Sequence, residues 1–210
     1  MLSIVTAASD RSLLTTAQMR AAIGLDPGDA SQDAALVGFG AMVADAMARD
    51  CLQLSVAPAT PPTFRQETLS EVFRPFRAEP SLKLSRRPAT SVSSVVSDGV
   101  TLDTDEYELD ASSNLLFALS DDARIKWAGK KITVGYVAGY ATVPDALAMG
   151  ASKLLRMVWS EDGPGARSDP NLKSVDIEGV GRREWWVGGA SDPLMSAEIQ
   201  ELLFPFRELR

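Results

Sequence analysis

The chain has 210 residues, 45% hydrophobic and 23% charged, a composition that suits one domain, or one domain with an insertion, burying its core without disulfides or metal. A formal net charge of -7 argues against a protein that wraps nucleic acid by neutralising phosphates. Histidine is absent, which removes the usual general base and the commonest metal ligand, and the single cysteine, Cys51, cannot form an intrachain disulfide.

The first residues, MLSIVTAASD, carry no basic stretch and no apolar run of signal-peptide length. The expectation is a protein assembled in the cytoplasm with no membrane segment. The first helix signal is TTAQMRAAIGL. Thr15 and Gln18 have capping-box spacing, and Gly24 suits a left-handed stop. After the turn DPGDASQD, residues 31–54 read as one long helix of about 36 Å at 1.5 Å per residue. Its apolar face carries Leu36, Val43, Met47 and Cys51. Ala34, Ala41, Ala44 and Ala48 form a smooth flank, and Asp45 and Arg49 pair at i and i+4.

VAPATPPTF ends the helix, because three closely spaced prolines cannot continue it. Residues 61–140 then read as β-rich: SLKLS, TSVSSVV, YELD, LLFAL and KITVGYV are short runs between turn formers. SDGV, residues 97–100, is a hairpin signal, and Ile132, Val134 and Tyr136 alternate as on a half-buried strand. Pro144 opens a third helix, residues 141–163, with Leu147, Leu154 and Val158 on its apolar face and Lys153, Arg156 and Ser160 on a narrow polar side. Gly150 in mid-helix suggests close packing there. A polar loop, EDGPGARSDPN, leads into an extended arm, and Asp192-Pro193 starts a last helix.

The fold expected from these elements is α+β. Residues 1–60 supply N-terminal helices of a helical bundle core and 61–140 an inserted β-sheet and hairpin subdomain. Residues 141–163 form the third core helix, and 164–210 a loop, an extended arm and a C-terminal helix. Leu36, Val43, Met47, Leu147, Leu154 and Val158 are the expected shared core.

No motif carries chemistry. Cys51 lies on an apolar helix face without a base beside it, and reads as a small buried hydrophobe. Asp103, Asp105, Glu106, Glu108 and Asp110 lack the glycine and closing glutamate of a calcium loop, and alternate with Tyr107 and Leu109 as a solvated strand face. The Gly-x-Gly of GVGRREWW lacks the strand-then-helix setting of a phosphate cradle. Its Arg182, Arg183, Trp185 and Trp186 are residue types favoured as interface anchors. Lys83, Arg86, Arg87, Lys130 and Lys131 read as solvated basic spots. Catalytic residues, cofactors and metals are therefore all expected to be none.

From Leu84 to Gly163 a series of short motifs follows in order: L-x-x-x-P-A-T-S-V-S-S-V, S-D-G-V-T-L, D-E-Y-E-L-D, I-T-V-G-Y-V-A-G-Y and V-P-D-A-L. The series resembles head-tail connector (adaptor) proteins of long-tailed bacteriophages and gene transfer agents. The ending SAEIQELLFPFREL resembles that family's terminal segment, and the two N-terminal helices resemble its opening pair; residues 1–12 and 55–80 are least distinctive. One departure is GRREWWVGG, where family members often carry a polar, tyrosine-bearing arm.

The resemblance implies a structural virion protein at the head-tail junction. It implies a ring of 12 copies beneath the portal protein that extends the DNA channel and docks a stopper or tail-completion protein. DNA would pass through the lumen without specific binding, past an acidic or mixed surface. It also implies that the C-terminal segment reaches the portal, which makes Trp185, Trp186, Leu194, Ile199, Leu202, Leu203, Phe204 and Phe206 the expected portal-binding residues. The rival for that segment is a final helix packed on its own bundle. The alternatives for the whole chain are a stopper or tail-terminator protein, or a small cytosolic enzyme or ligand-binding domain.

Overall fold

The computed structural model describes residues 1–52, 62–164, 174–177, 181–184 and 196–207. Its architecture is α+β, as the sequence predicts. The chain opens with a strand, β1 (Leu2–Thr6), followed by α1 (Thr16–Ile23) and α2 (Asp33–Leu52). Thr15 and Gln18 do form a capping box, and Gly24 ends α1 in the left-handed region at φ 81°. Arg20 on α1 is held to Asp33 at the start of α2, its Nε donating at 2.7 Å, so the two helices are tied across the turn.

Among the described residues eight strands follow before the third helix, the first seven being β2 (Glu67–Phe73), β3 (Leu82–Lys83), β4 (Ala89–Ser97), β5 (Val100–Thr101), β6 (Tyr107–Asp110), β7 (Leu115–Ser120) and β8 (Ala123–Ile125). The eighth, β9 (Ile132–Ala138), runs directly into α3 (Asp145–Asp162). Five strands make an antiparallel sheet in the order β1-β2-β9-β4-β5. A second sheet has the order β3-β7-β6, with β8 also pairing β7.

The hairpin expected at 97–100 joins β4 to β5. Asp98 (φ 49°) and Gly99 (φ 92°) occupy its two central positions with the positive φ that a two-residue turn of this hand requires. In β9, Ile132, Val134, Tyr136 and Ala138 all point inward, and residues between them are half-buried.

β1 departs from the expectation that residues 1–60 supply helices alone. Leu2, Ser3 and Ile4 pair with Glu71, Ser70 and Leu69, making the N-terminus an edge of the main sheet. The partner lies more than sixty residues away, so no local signal in five uncharged residues announces the pairing.

Two apolar clusters result. One gathers residues of α1, α2, α3 and a short C-terminal helix, α4 (Ala197–Leu203), whose side chains meet at Leu36, Val43, Met47, Leu147, Leu154, Val158 and Leu203. The other lies in and between the sheets, around Leu69, Leu84, Val95, Leu116, Trp127, Val134 and Tyr136. α3 passes close to α2 and α4 at Gly150, where an added Cβ would lie 3.4 Å from Met47 Cε and 3.8 Å from Leu203 Cδ2. The close approach there is to side chains.

α3 begins at Asp145, inside the expected span 141–163, and Pro144 is its N-cap, one position before the first helical residue it was expected to be. The last helix begins at Ala197, where the Ser196 hydroxyl accepts from the Ile199 N–H at 3.5 Å. The arm expected after α3 contains a hairpin, β10 (Ser174–Ile177) paired with β11 (Gly181–Glu184). Among the described residues, no helix is long and apolar enough to cross a membrane.

Val43 is buried at 3% exposure among the apolar side chains of the helical cluster, where an introduced carboxylate would lose its water. Val43→Asp is expected to cost about 3 kcal/mol or more of unfolding free energy. Urea unfolding of the variant against the parent measures it; an unchanged midpoint would mean that this face of α2 is not buried.

Candidate assembly surfaces and the joint between the cores

The segment from β9 to α3 is where the two clusters meet. Gly139, at φ 97°, turns the chain out of the sheet, and an added Cβ would lie 2.7 Å from the Arg65 carbonyl carbon. Its N–H donates to the Pro88 carbonyl at 2.9 Å. The next residue, Tyr140, donates its N–H to the Phe64 carbonyl at 2.7 Å, and its own carbonyl accepts from Gln66 N–H at 3.2 Å. The exit from β9 is thus clamped from two sides by backbone.

A buried polar network continues the clamp into the sheets. Glu71 on β2 accepts from the Ser85 N–H at 3.0 Å, from the Ser85 hydroxyl, and from the Tyr136 hydroxyl at 3.0 Å. The Tyr136 hydroxyl in turn accepts from the Arg86 N–H at 3.2 Å. Burial, then the nearby Glu71 charge, push the Tyr136 phenol well above its ordinary range, so it remains a donor. Asn114, itself buried at φ 60°, donates to the carbonyls of Leu84 at 2.6 Å and Arg86 at 3.1 Å and accepts from Ala89 N–H at 2.7 Å.

Arg86 corrects the sequence reading most sharply. It was expected on a solvated face, yet its side chain is 2% exposed and lies 3.6 Å from Glu67, which is 1% exposed. Arg11, from the stretch before α1, approaches the same carboxylate at 3.9 Å and donates to the Pro62 carbonyl at 2.9 Å. A run of two arginines gives no local sign that one of them will be buried against a carboxylate nineteen residues earlier.

The expected portal-binding residues divide. Trp185, Trp186 and Leu194 lie outside the described residues. Ile199 and Leu203 are buried in the chain's own helical cluster, and Leu202 is half-buried. Phe206 sets its ring edge-on to Phe64 and Tyr140, with centroids 6.3 and 6.0 Å apart. Arg207 donates to Asp50 at 2.7 and 3.1 Å, and Lys153 on α3 pairs with Glu198. The helix is therefore fastened to its own subunit, and Phe204, 64% exposed, is the large apolar group it presents outward.

Beside Phe206 a shallow crevice is lined by Phe64, Arg87, Pro88, Ser112, Tyr140 and Pro205. Among the described residues of the lining, Arg87 is the charged side chain and no carboxylate is present. Burial, with the Asp50 charge adding to it, raises the Cys51 thiol to about 11, the opposite of an activated nucleophile. Among the described residues, no three Cys, Asp or Glu side chains converge as a metal site.

No protein-family model matches the chain, and no curated protein matches it. Solved structures do. A chain in the neck of an empty GTA particle, computed with C6 symmetry, has a TM-score of 0.60 at 19% identity, over 100% of this chain and 96% of that one. A chain of the native gene transfer agent (GTA) virion has a TM-score of 0.55 at 18% identity, and one in the neck of a native GTA particle, computed with C12 symmetry, has 0.54 at 18%. Both again cover 100% of this chain and 96% of the other. At these identities the likeness is one of fold, and it runs the whole length of the chain.

The Arg86–Glu67 pair makes a discriminating test. Arg86→Met would remove the nearer of two arginines from the buried Glu67 carboxylate, leaving Arg11 at 3.9 Å, and is expected to cost about 3 kcal/mol. Adding Glu67→Leu should recover a substantial part of that loss. Chemical denaturation of Arg86→Met, Glu67→Leu and the double variant measures it, and a double variant as unstable as the sum of both single changes would contradict the pairing.

Proposed function

We propose that the chain is a structural component of a virion neck: a head-tail adaptor that forms a ring beneath a portal protein and extends the DNA channel. The observation that carries the reading is a likeness of fold, over the full chain, to chains of GTA neck structures. The C6 and C12 symmetries of those necks support a ring, with 12 copies as the expected number. The ordered motifs between Leu84 and Gly163 and the terminal E-I-Q-E-L-L-F-P-F-R support the adaptor role within the neck. On this reading the four described helices are the family's bundle and strands β2 to β9 its insertion, with β1 added at one sheet edge, and the protein performs no catalysis.

The negative formal charge suits a lumen that lets DNA pass without gripping it. The same chain docks the portal through its C-terminal segment. Because Ile199 and Leu203 belong to the chain's own cluster, the outward groups of that segment make the contact, with Phe204 foremost. Its ring is large, apolar and exposed beside a rigidly held helix, the arrangement an interface anchor needs.

Phe204→Asp tests the docking without opening the core. The variant should keep its unfolding midpoint and lose about 2 kcal/mol or more of affinity for portal rings, roughly thirtyfold. Pull-down and sedimentation with the portal protein of the same particle read the result. Unchanged portal binding would move the docking site off this segment, and binding to the tail tube instead of the portal would favour a tail-terminator role.

A further inference from the structure

Two features of the β-sheets face solvent and are complementary in charge. The turn between β2 and β3, Arg74-Pro75-Phe76-Arg77, holds Phe76 at 103% exposure, so its own chain covers none of the ring. Arg77 is 85% exposed, with Glu79 no nearer than 3.9 Å, and Arg74 is exposed. On the second sheet, Asp105, Glu106, Asp121 and Asp122 surround a depression with Leu119 and Ser120 in its wall. None of these four carboxylates takes part in an ion pair among the described residues. Arg124, on β8, is held 2.9 Å from Glu108 and 3.9 Å from the Phe117 ring centre, so it is committed elsewhere.

We infer that the Arg74–Arg77 turn of one copy docks in the Asp105–Asp122 depression of the next copy around the ring. The inference rests on the ring proposed above and adds the contact that closes it. A basic-aromatic projection and an acidic hollow that do not pair within one chain are complementary between copies, and repeated head to tail such a contact generates rings. A two-fold dimer through either patch would set like charges face to face and is disfavoured.

In the docked arrangement Phe76 leaves water against Leu119, while Arg74 and Arg77 neutralise carboxylates that otherwise repel one another. Copies with a net charge of -7 repel overall, so local complementarity of this kind also selects the register in which they meet. The contact should weaken with added salt.

The test uses the full chain, with self-association followed by sedimentation and mass photometry. R74E/R77E should weaken self-association about tenfold or more, and Phe76→Ser should do the same without changing net charge. Combining R74E/R77E with D105K/E106K/D121K/D122K, which exchanges the two patches' signs, should restore assembly, and circular dichroism should report an intact fold throughout. Rings that form equally well in R74E/R77E would overturn the docking while leaving the neck role standing. A parent chain that stays monomeric at every concentration, or a reversed pair that restores nothing, would also overturn it. Loss of duplex DNA binding in R74E/R77E with self-association intact would assign the turn to phosphate contact instead.

Discussion

The carbonyl of Arg65 leaves no room for a side chain at residue 139, and the rest of the architecture depends on that clearance. Gly139 takes the chain from the central strand of the main sheet into the turn before α3 at a positive φ. Backbone hydrogen bonds from Gly139 to Pro88 and between Tyr140 and both Phe64 and Gln66 hold that exit in one geometry. A strand and a helix joined by a loose loop could pivot. Joined this way, the strand's exit is fixed by three backbone hydrogen bonds before the helix begins.

The buried polar groups reinforce the same joint. Glu71, Tyr136, Ser85 and Asn114 tie the segment 84–89 to the sheets by hydrogen bonds. Arg86 and Arg11 both approach Glu67 at the first residue of β2. Such a pair is a poor way to gain stability, because desolvation offsets most of the attraction. Its geometric demand is strict, however, and in the ring proposed above a fixed angle between the parts of each subunit would be needed for the copies to meet at one rotation.

Local signals were readable in the sequence. The capping box at Thr15 and Gln18, the stop at Gly24, the Asp98-Gly99 hairpin and the alternation of Ile132, Val134 and Tyr136 each need only a few consecutive residues. What escaped was long-range. β1 pairs with a strand more than sixty residues away, and Arg86 finds Glu67 across the fold. Asn114 sits in a turn like any other, and only the folded chain shows three backbone partners around it. In the C-terminal segment the apolar pattern of Ile199, Leu202, Leu203 and Phe204 marks a helix with something to bury. Which residues turn inward depends on where α3 and α2 lie, and that is a property of the assembled core.

The claim that most needs testing is that the joint is rigid. Native-state amide hydrogen exchange reads it directly, at Gly139, Tyr140 and Gln66. The account predicts that these amides exchange as slowly as those of β9 itself, opening only when the whole chain unfolds. Exchange at the rate of a surface loop, with β9 still protected, would contradict it.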